Sequence, residues 1–158
     1  MAEQIVCNTS PLLALGQMQV LDEIGRLPYQ FVAPAEVAAE IHAGLAQGHP
    51  IGVPAWLKVL PLSGPLSPVA VVTLDAGEAA VIQLAQEQGI QKVCLDDLKG
   101  RRAALAVGLQ VFGSLGLLAL AKSLGLIPAI RPLLYKANHA GIYYGAKLLE
   151  DFLRQLGE

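Results

Sequence analysis

The sequence predicts an α/β domain: a central, mainly parallel β-sheet with helices on its faces. Three observations carry that expectation. Short apolar runs of strand length alternate with longer runs at helical spacing. Hydrophobic residues make up 54% and charged residues 15%, which is too apolar for disorder. A chain of 158 residues has the size of one domain that buries its own core, so residues 1–158 read as a single unit.

Taken in order, Gln4–Cys7 is an apolar strand that runs straight into Asn8-Thr9-Ser10-Pro11. Asn, Thr or Ser ahead of a proline is a helix start. Pro11–Ile24 then carries Leu12, Leu13, Leu15, Met18, Val20, Leu21 and Ile24 mostly at helical spacing, with Gly16 as the expected break. Tyr29–Val32 reads as a short strand, and Pro34 opens a helix that ends near Gly44. Residues 44–72 form the loosest stretch, with five prolines (Pro50, Pro54, Pro61, Pro65, Pro68) and four glycines, and Trp56–Leu60 reads as a strand within it. Leu74–Gln88 is a helix with Asp75 at its start and Gly89 as its stop. Strand Lys92–Leu95 ends on Asp96-Asp97. Helix Lys99–Val107, strand Leu109–Phe112 and helix Ser114–Leu124 come next, and Pro128–Ala137 and Gly145–Leu156 close the chain as helices.

Ala103–Ala121 is uncharged over 19 residues, the length of a membrane span. Gly108, Gln110, Gly113 and Ser114 interrupt it, so it reads as helix, buried strand and helix, and no membrane is expected. MAEQIVCNTSP lacks the basic and apolar regions of a secretory signal. Cys7 and Cys94 lie in apolar strands and show no Cys-x-x-Cys spacing, which suits a reduced, cytoplasmic setting and gives no zinc signal.

The net charge of −2 conceals a split. Ten acids and three bases fall in residues 1–97, whereas residues 98–149 hold seven bases and no acid. The split fits an acidic pocket beside a basic surface, and equally helix-end charges.

Ligands of parallel sheets bind beyond the carboxyl ends of the strands. Two strands end there on polar groups: Asn8, Thr9 and Ser10 after the first, Asp96 and Asp97 after the KVCL strand. Adjacent acids raise each other's pKa, and a hard divalent cation relieves them. The same pair also serves as a helix N-cap and first-turn acid. Glu40 shares a helix face with Glu36, and Glu78 sits in the first turn of its helix; each taken alone fits a solvated or dipole-complementing acid. Lys99, Arg101 and Arg102 suit either phosphate contacts or plain surface charge. His42, His49 and His139 show no metal spacing. The chain has no Walker-type GxxxxGK[ST], no dinucleotide fingerprint and no G-x-S-x-G around Ser10.

Several features in order resemble the PIN domain, and most nearly a branch of VapC-like proteins. They are Asn-Thr-Ser-Pro-Leu after the first strand, Glu40 on an early helix, Gly77-Glu78-Ala79, Leu95-Asp96-Asp97 with Gly100-Arg101-Arg102, Val111–Gly116, and Gly157-Glu158. The resemblance implies a three-layer α/β/α fold and Mg²⁺- or Mn²⁺-dependent hydrolysis of RNA, as in the toxins of toxin–antitoxin pairs. Carried over by position, the metal ligands are Asn8, Glu40, Glu78 and one or both of Asp96 and Asp97, with the four acids catalytic. Ser10, Lys99, Arg101 and Arg102 would contact RNA. The resemblance also implies a homodimer silenced by a small antitoxin protein. One departure stands out: Asn8 occupies a position that is usually Asp in the family, and it ligates without charge. That leaves a second expectation, a weak or inactive module that binds RNA or a partner protein.

Overall fold

Ile5, Val6 and Cys7 are fully buried, as a strand covered on both faces of a parallel sheet requires. The computed structural model describes residues 2–49 and 51–158, and Met1 and Pro50 lie outside them. Five strands, β1 (Glu3–Cys7), β2 (Tyr29–Pro34), β3 (Lys58–Leu60), β4 (Lys92–Cys94) and β5 (Gln110–Phe112), form one sheet in the order β3-β2-β1-β4-β5. All four pairings are parallel, with Val6 opposite Val32 on one side and Val93 on the other. The chain builds outward from β1 to β3, then crosses to β4 and β5. The strand order therefore reverses between β1 and β4, the place where such sheets leave a crevice at their carboxyl ends.

Helices flank the sheet in the three-layer α/β/α arrangement: α1 (Thr9–Gln17), α2 (Leu21–Gly25), α3 (Ala35–Ala46), α4 (Pro68–Thr73), α5 (Ala76–Gln88), α6 (Leu98–Ala106), α7 (Ser114–Ser123), α8 (Arg131–His139) and α9 (Ala146–Gln155). Helix α5 is the most buried of them in its first two turns, where Gly77 to Ile82 pack against the sheet. The uncharged run from Ala103 to Ala121 divides into the end of α6, strand β5 and most of α7. Among the described residues, no helix is long and apolar enough to cross a membrane.

Three boundaries differ from expectation. The helix expected over Pro11–Ile24 is two helices, and the break lies at Gln19, which adopts φ 60°, and not at Gly16. Gly16 lies within α1, where the Ile51 side chain packs so closely that it leaves no room for a Cβ. The loose stretch contains α4, whose Pro68 occupies the first helical turn, where a proline costs no hydrogen bond. The helix expected from Pro128 starts at Arg131, after its amide and that of Ile130 have been taken up by the Glu158 carboxylate.

Candidate functional site

The carboxyl ends of β1 and β4 are locked together. The Asn8 amide donates to the Cys94 carbonyl at 3.0 Å, which extends the ladder one residue beyond the strand. Asn8 is buried, and its Oδ1 has no hydrogen-bond partner. Thr9 begins α1, and its hydroxyl donates to Glu40 Oε2 on α3 at 2.6 Å. The other Glu40 oxygen lies against Gly77, so closely that any Cβ at that position would collide with it. Glu40 thus ties the residue after Asn8 to the residue before Glu78.

Glu78 is held by a capping box. Its amide donates to Asp75 Oδ1 at 2.7 Å, and the Asp75 amide donates to Glu78 Oε1 at 3.2 Å. The remaining oxygen, Oε2, is buried without a partner. It lies over Gly100 in the first turn of α6, where an added Cβ would stand 2.7 Å from it. Burial pushes the Glu78 carboxyl up to about 7; the Asp75 amide pulls it down, while the charges of Asp75 and Asp97 and contact with Asp97 push it further up. Glu78 and Asp97 therefore face each other. When both are ionised neither has a proton to donate, so the pair is satisfied by a shared proton or by a cation.

The two adjacent aspartates serve different places. Asp96 accepts from the Ser114 amide through Oδ1 and from the Ser114 hydroxyl through Oδ2, both at 2.8 Å, at the N-terminus of α7. The Ser114 oxygen also meets the Tyr144 hydroxyl at 2.7 Å. Since the Ser114 proton goes to Asp96, Tyr144 is the donor of that contact. Asp97 is exposed; it caps α6 by accepting from the Lys99 amide at 3.1 Å, and it stands beside Glu78. The direction in which each aspartate points was open in the sequence. It is set by Ser114, which claims the first and leaves the second.

Of the basic residues, Lys99 and Arg102 are exposed at the start of α6. Arg101 is half-buried and donates to the Leu95 carbonyl at 2.8 Å, beside Asp96 and Gly113. Ser10 is exposed on the first turn of α1.

The donor chemistry fits a hard divalent cation. Two buried oxygens, Asn8 Oδ1 and Glu78 Oε2, lack partners, and Asp97 adds a carboxylate beside the second. Among the described residues, no three His, Cys, Asp or Glu side chains stand close enough to hold an ion as arranged.

The sequence placed Thr9 at the strand end and Asp75 at a helix start without assigning either a part in the site, and it gave Ser114 and Tyr144 none. Asp75 had a signal, since Asp-x-x-Glu is a capping-box pattern. Ser114 and Tyr144 had none, being 18 and 48 residues from Asp96. The DUF3368 family model, a PIN domain, matches residues 4–158. No curated protein and no solved structure matches the chain.

Proposed function

The chain belongs to the PIN-domain family, and from that premise we propose that it is a Mg²⁺- or Mn²⁺-dependent endoribonuclease, the toxin of a toxin–antitoxin pair. PIN domains are generally metal-dependent nucleases, which gives the broad class of hydrolase acting on nucleic acid. The observation that supports the finer reading most is the unpartnered Glu78 Oε2 facing Asp97 beyond the end of β4, with a second unpartnered oxygen, Asn8 Oδ1, at the end of the adjacent strand β1.

In this reading Asn8, Glu78 and Asp97 hold the cation, with Glu40 alongside. Asp96 is held by Ser114 through both its oxygens, so in this reading it supports the site and Asp97 is the ligand of the pair. A divalent cation held by these residues would supply Lewis-acid chemistry to a phosphodiester and its attacking water. Without a cation the Glu78 carboxyl is pushed up to about 7, so an ion that binds there near neutral pH would displace its proton. Lys99 and Arg102 meet backbone phosphates, Ser10 donates from the other wall, and Arg101 contributes charge from a fixed position. A small antitoxin protein, a homodimer and a cytoplasmic location complete the reading, which rests for these on the family resemblance.

The test is Mn²⁺-dependent cleavage of single-stranded RNA, with Glu78→Ala and Asp97→Ala alongside. Cleavage by the wild type, lost with EDTA and in both variants while their circular dichroism is unchanged, is the expected result. Unchanged cleavage in both variants would sink the assignment. A second reading, an inactive module that binds RNA or a partner protein, is favoured by the neutral Asn8 and by the absence of a three-acid group among the described residues. It predicts RNA binding that EDTA does not affect, no turnover, and a gain in Mn²⁺ affinity on Asn8→Asp.

A further inference from the structure

A cavity of about 350 Å³ lies beside the strand-end site, between α1 and the segment Ile142–Tyr144 that links α8 to α9. That volume falls in the range of small-ligand pockets. Ser10 and Asp96 form its edge toward the strand ends. Leu13 and Ile142 give it an apolar floor, Gln17 offers an amide, and Tyr143 stands in its wall. Tyr143 is 76% exposed, an unusual state for a large aromatic residue next to an apolar hollow. Its neighbour Tyr144 is fixed through Ser114 to Asp96, so the segment carrying Tyr143 is anchored to the strand end.

Those parts match what an unpaired base needs. A base presents a flat π-face that stacks on an aromatic ring and a polar edge that an amide can read. Asp96 would repel the phosphates of a strand, but its charge is spread over two bonds from Ser114 and lies beside Arg101. We propose that this cavity is a subsite for one unstacked base of single-stranded RNA, with Tyr143 as the stacking platform and Gln17 at the base edge. The base would lie next to the phosphate brought to the strand ends, so the subsite would set which nucleotide flanks the cut. The proposal rests on the nuclease reading for the identity of the polymer and the place of the cut; the stacking itself does not depend on catalysis.

The probe is a single-stranded RNA hexamer carrying one 2-aminopurine, titrated in EDTA so that nothing is cut. Binding to the wild type quenches the 2-aminopurine, and a duplex of the same strand binds more weakly. Tyr143→Ala weakens binding about five- to a hundredfold and abolishes the quenching. Tyr143→Phe keeps both, because the ring and not the hydroxyl does the stacking. Tyr143 is exposed, so the variants are expected to fold, and their Mn²⁺ binding by calorimetry stays at the wild-type level. The same affinity and quenching in Tyr143→Ala as in the wild type, or no quenching by the wild type, overturns the subsite. If the wild type never cleaves RNA but the quenching pattern holds, the nuclease reading fails and the subsite stands. If the wild type cleaves while Tyr143→Ala binds and quenches normally, the subsite alone fails.

Discussion

Glu78 and Glu158 are both carboxylates at the start of a helix, yet the fold treats them in opposite ways. Glu158 accepts from the amides of Ile130 and Arg131 at 3.0–3.1 Å and from Lys122 Nζ at 2.8 Å. Burial opposes its charge most, but Lys122 and those amides together outweigh burial and hold the carboxyl down at about 2. Glu78 has one amide partner, an acid for a neighbour and one buried oxygen with nothing to accept from, and it is pushed up to about 7. A carboxylate with all its partners present locks the α8 end to the carboxyl terminus. A carboxylate left short of partners stores a demand for a proton or a cation. The difference separates a carboxylate satisfied within the fold from one that the fold leaves short of partners.

Activity breaks this comparison open with the largest effect. Glu78→Ala or Asp97→Ala should lower Mn²⁺-dependent RNA cleavage about a hundredfold or more, and Glu158→Ala should leave it within about twofold once folding is matched. Stability reverses the order. Glu158→Ala removes a saturated carboxylate, leaves the Ile130 and Arg131 amides without an acceptor and leaves Lys122 only the Leu156 carbonyl, so urea unfolding should show a loss of about 1–3 kcal/mol. Glu78→Gln should instead stabilise the metal-free protein by up to about 3 kcal/mol near pH 8, because it removes a strained charge while keeping the shape.

The pH dependence sharpens the contrast. Glu78 has a raised folded pKa, so its contribution is most favourable below about 4.5 and is lost as pH rises through about 7. The wild type in EDTA should lose stability between about pH 5 and pH 8, and Glu78→Gln should flatten that slope. Glu158 has a lowered folded pKa, so its contribution is present above about 4.5 and is lost as pH falls toward 2. Glu158→Gln should flatten the acid limb only. Thermal melts across the two windows check both signs. The smallest effect belongs to Tyr144→Phe, which removes one donor to Ser114 and should cost about 0.5–1.5 kcal/mol with little change in Mn²⁺ affinity.

Much of the frame was legible in the sequence because it is local. The β1 strand followed by Asn-Thr-Ser-Pro, the helix stopped at Gly89, and the strand before Asp96-Asp97 all follow from residues within a few positions of one another. The break at Gln19 was not legible, because a glutamine at φ 60° carries no sequence signal and Gly16, three residues earlier, is the more obvious breaker. The acids Glu40, Glu78 and Asp97 could be singled out as candidates. Their arrangement could not, since it depends on Thr9 holding Glu40, on two glycines leaving room for carboxylates, and on Ser114 taking Asp96 away. These are contacts across 18 to 37 residues that only the closed sheet brings about.

A calorimetric Mn²⁺ titration of the wild type against Asp97→Ala tests the central claim most directly. Binding by the wild type that is weakened about tenfold or more in the variant, with a proton released from Glu78 as the ion enters, is the predicted result. No binding by the wild type at millimolar Mn²⁺, or equal binding by both proteins, would contradict it.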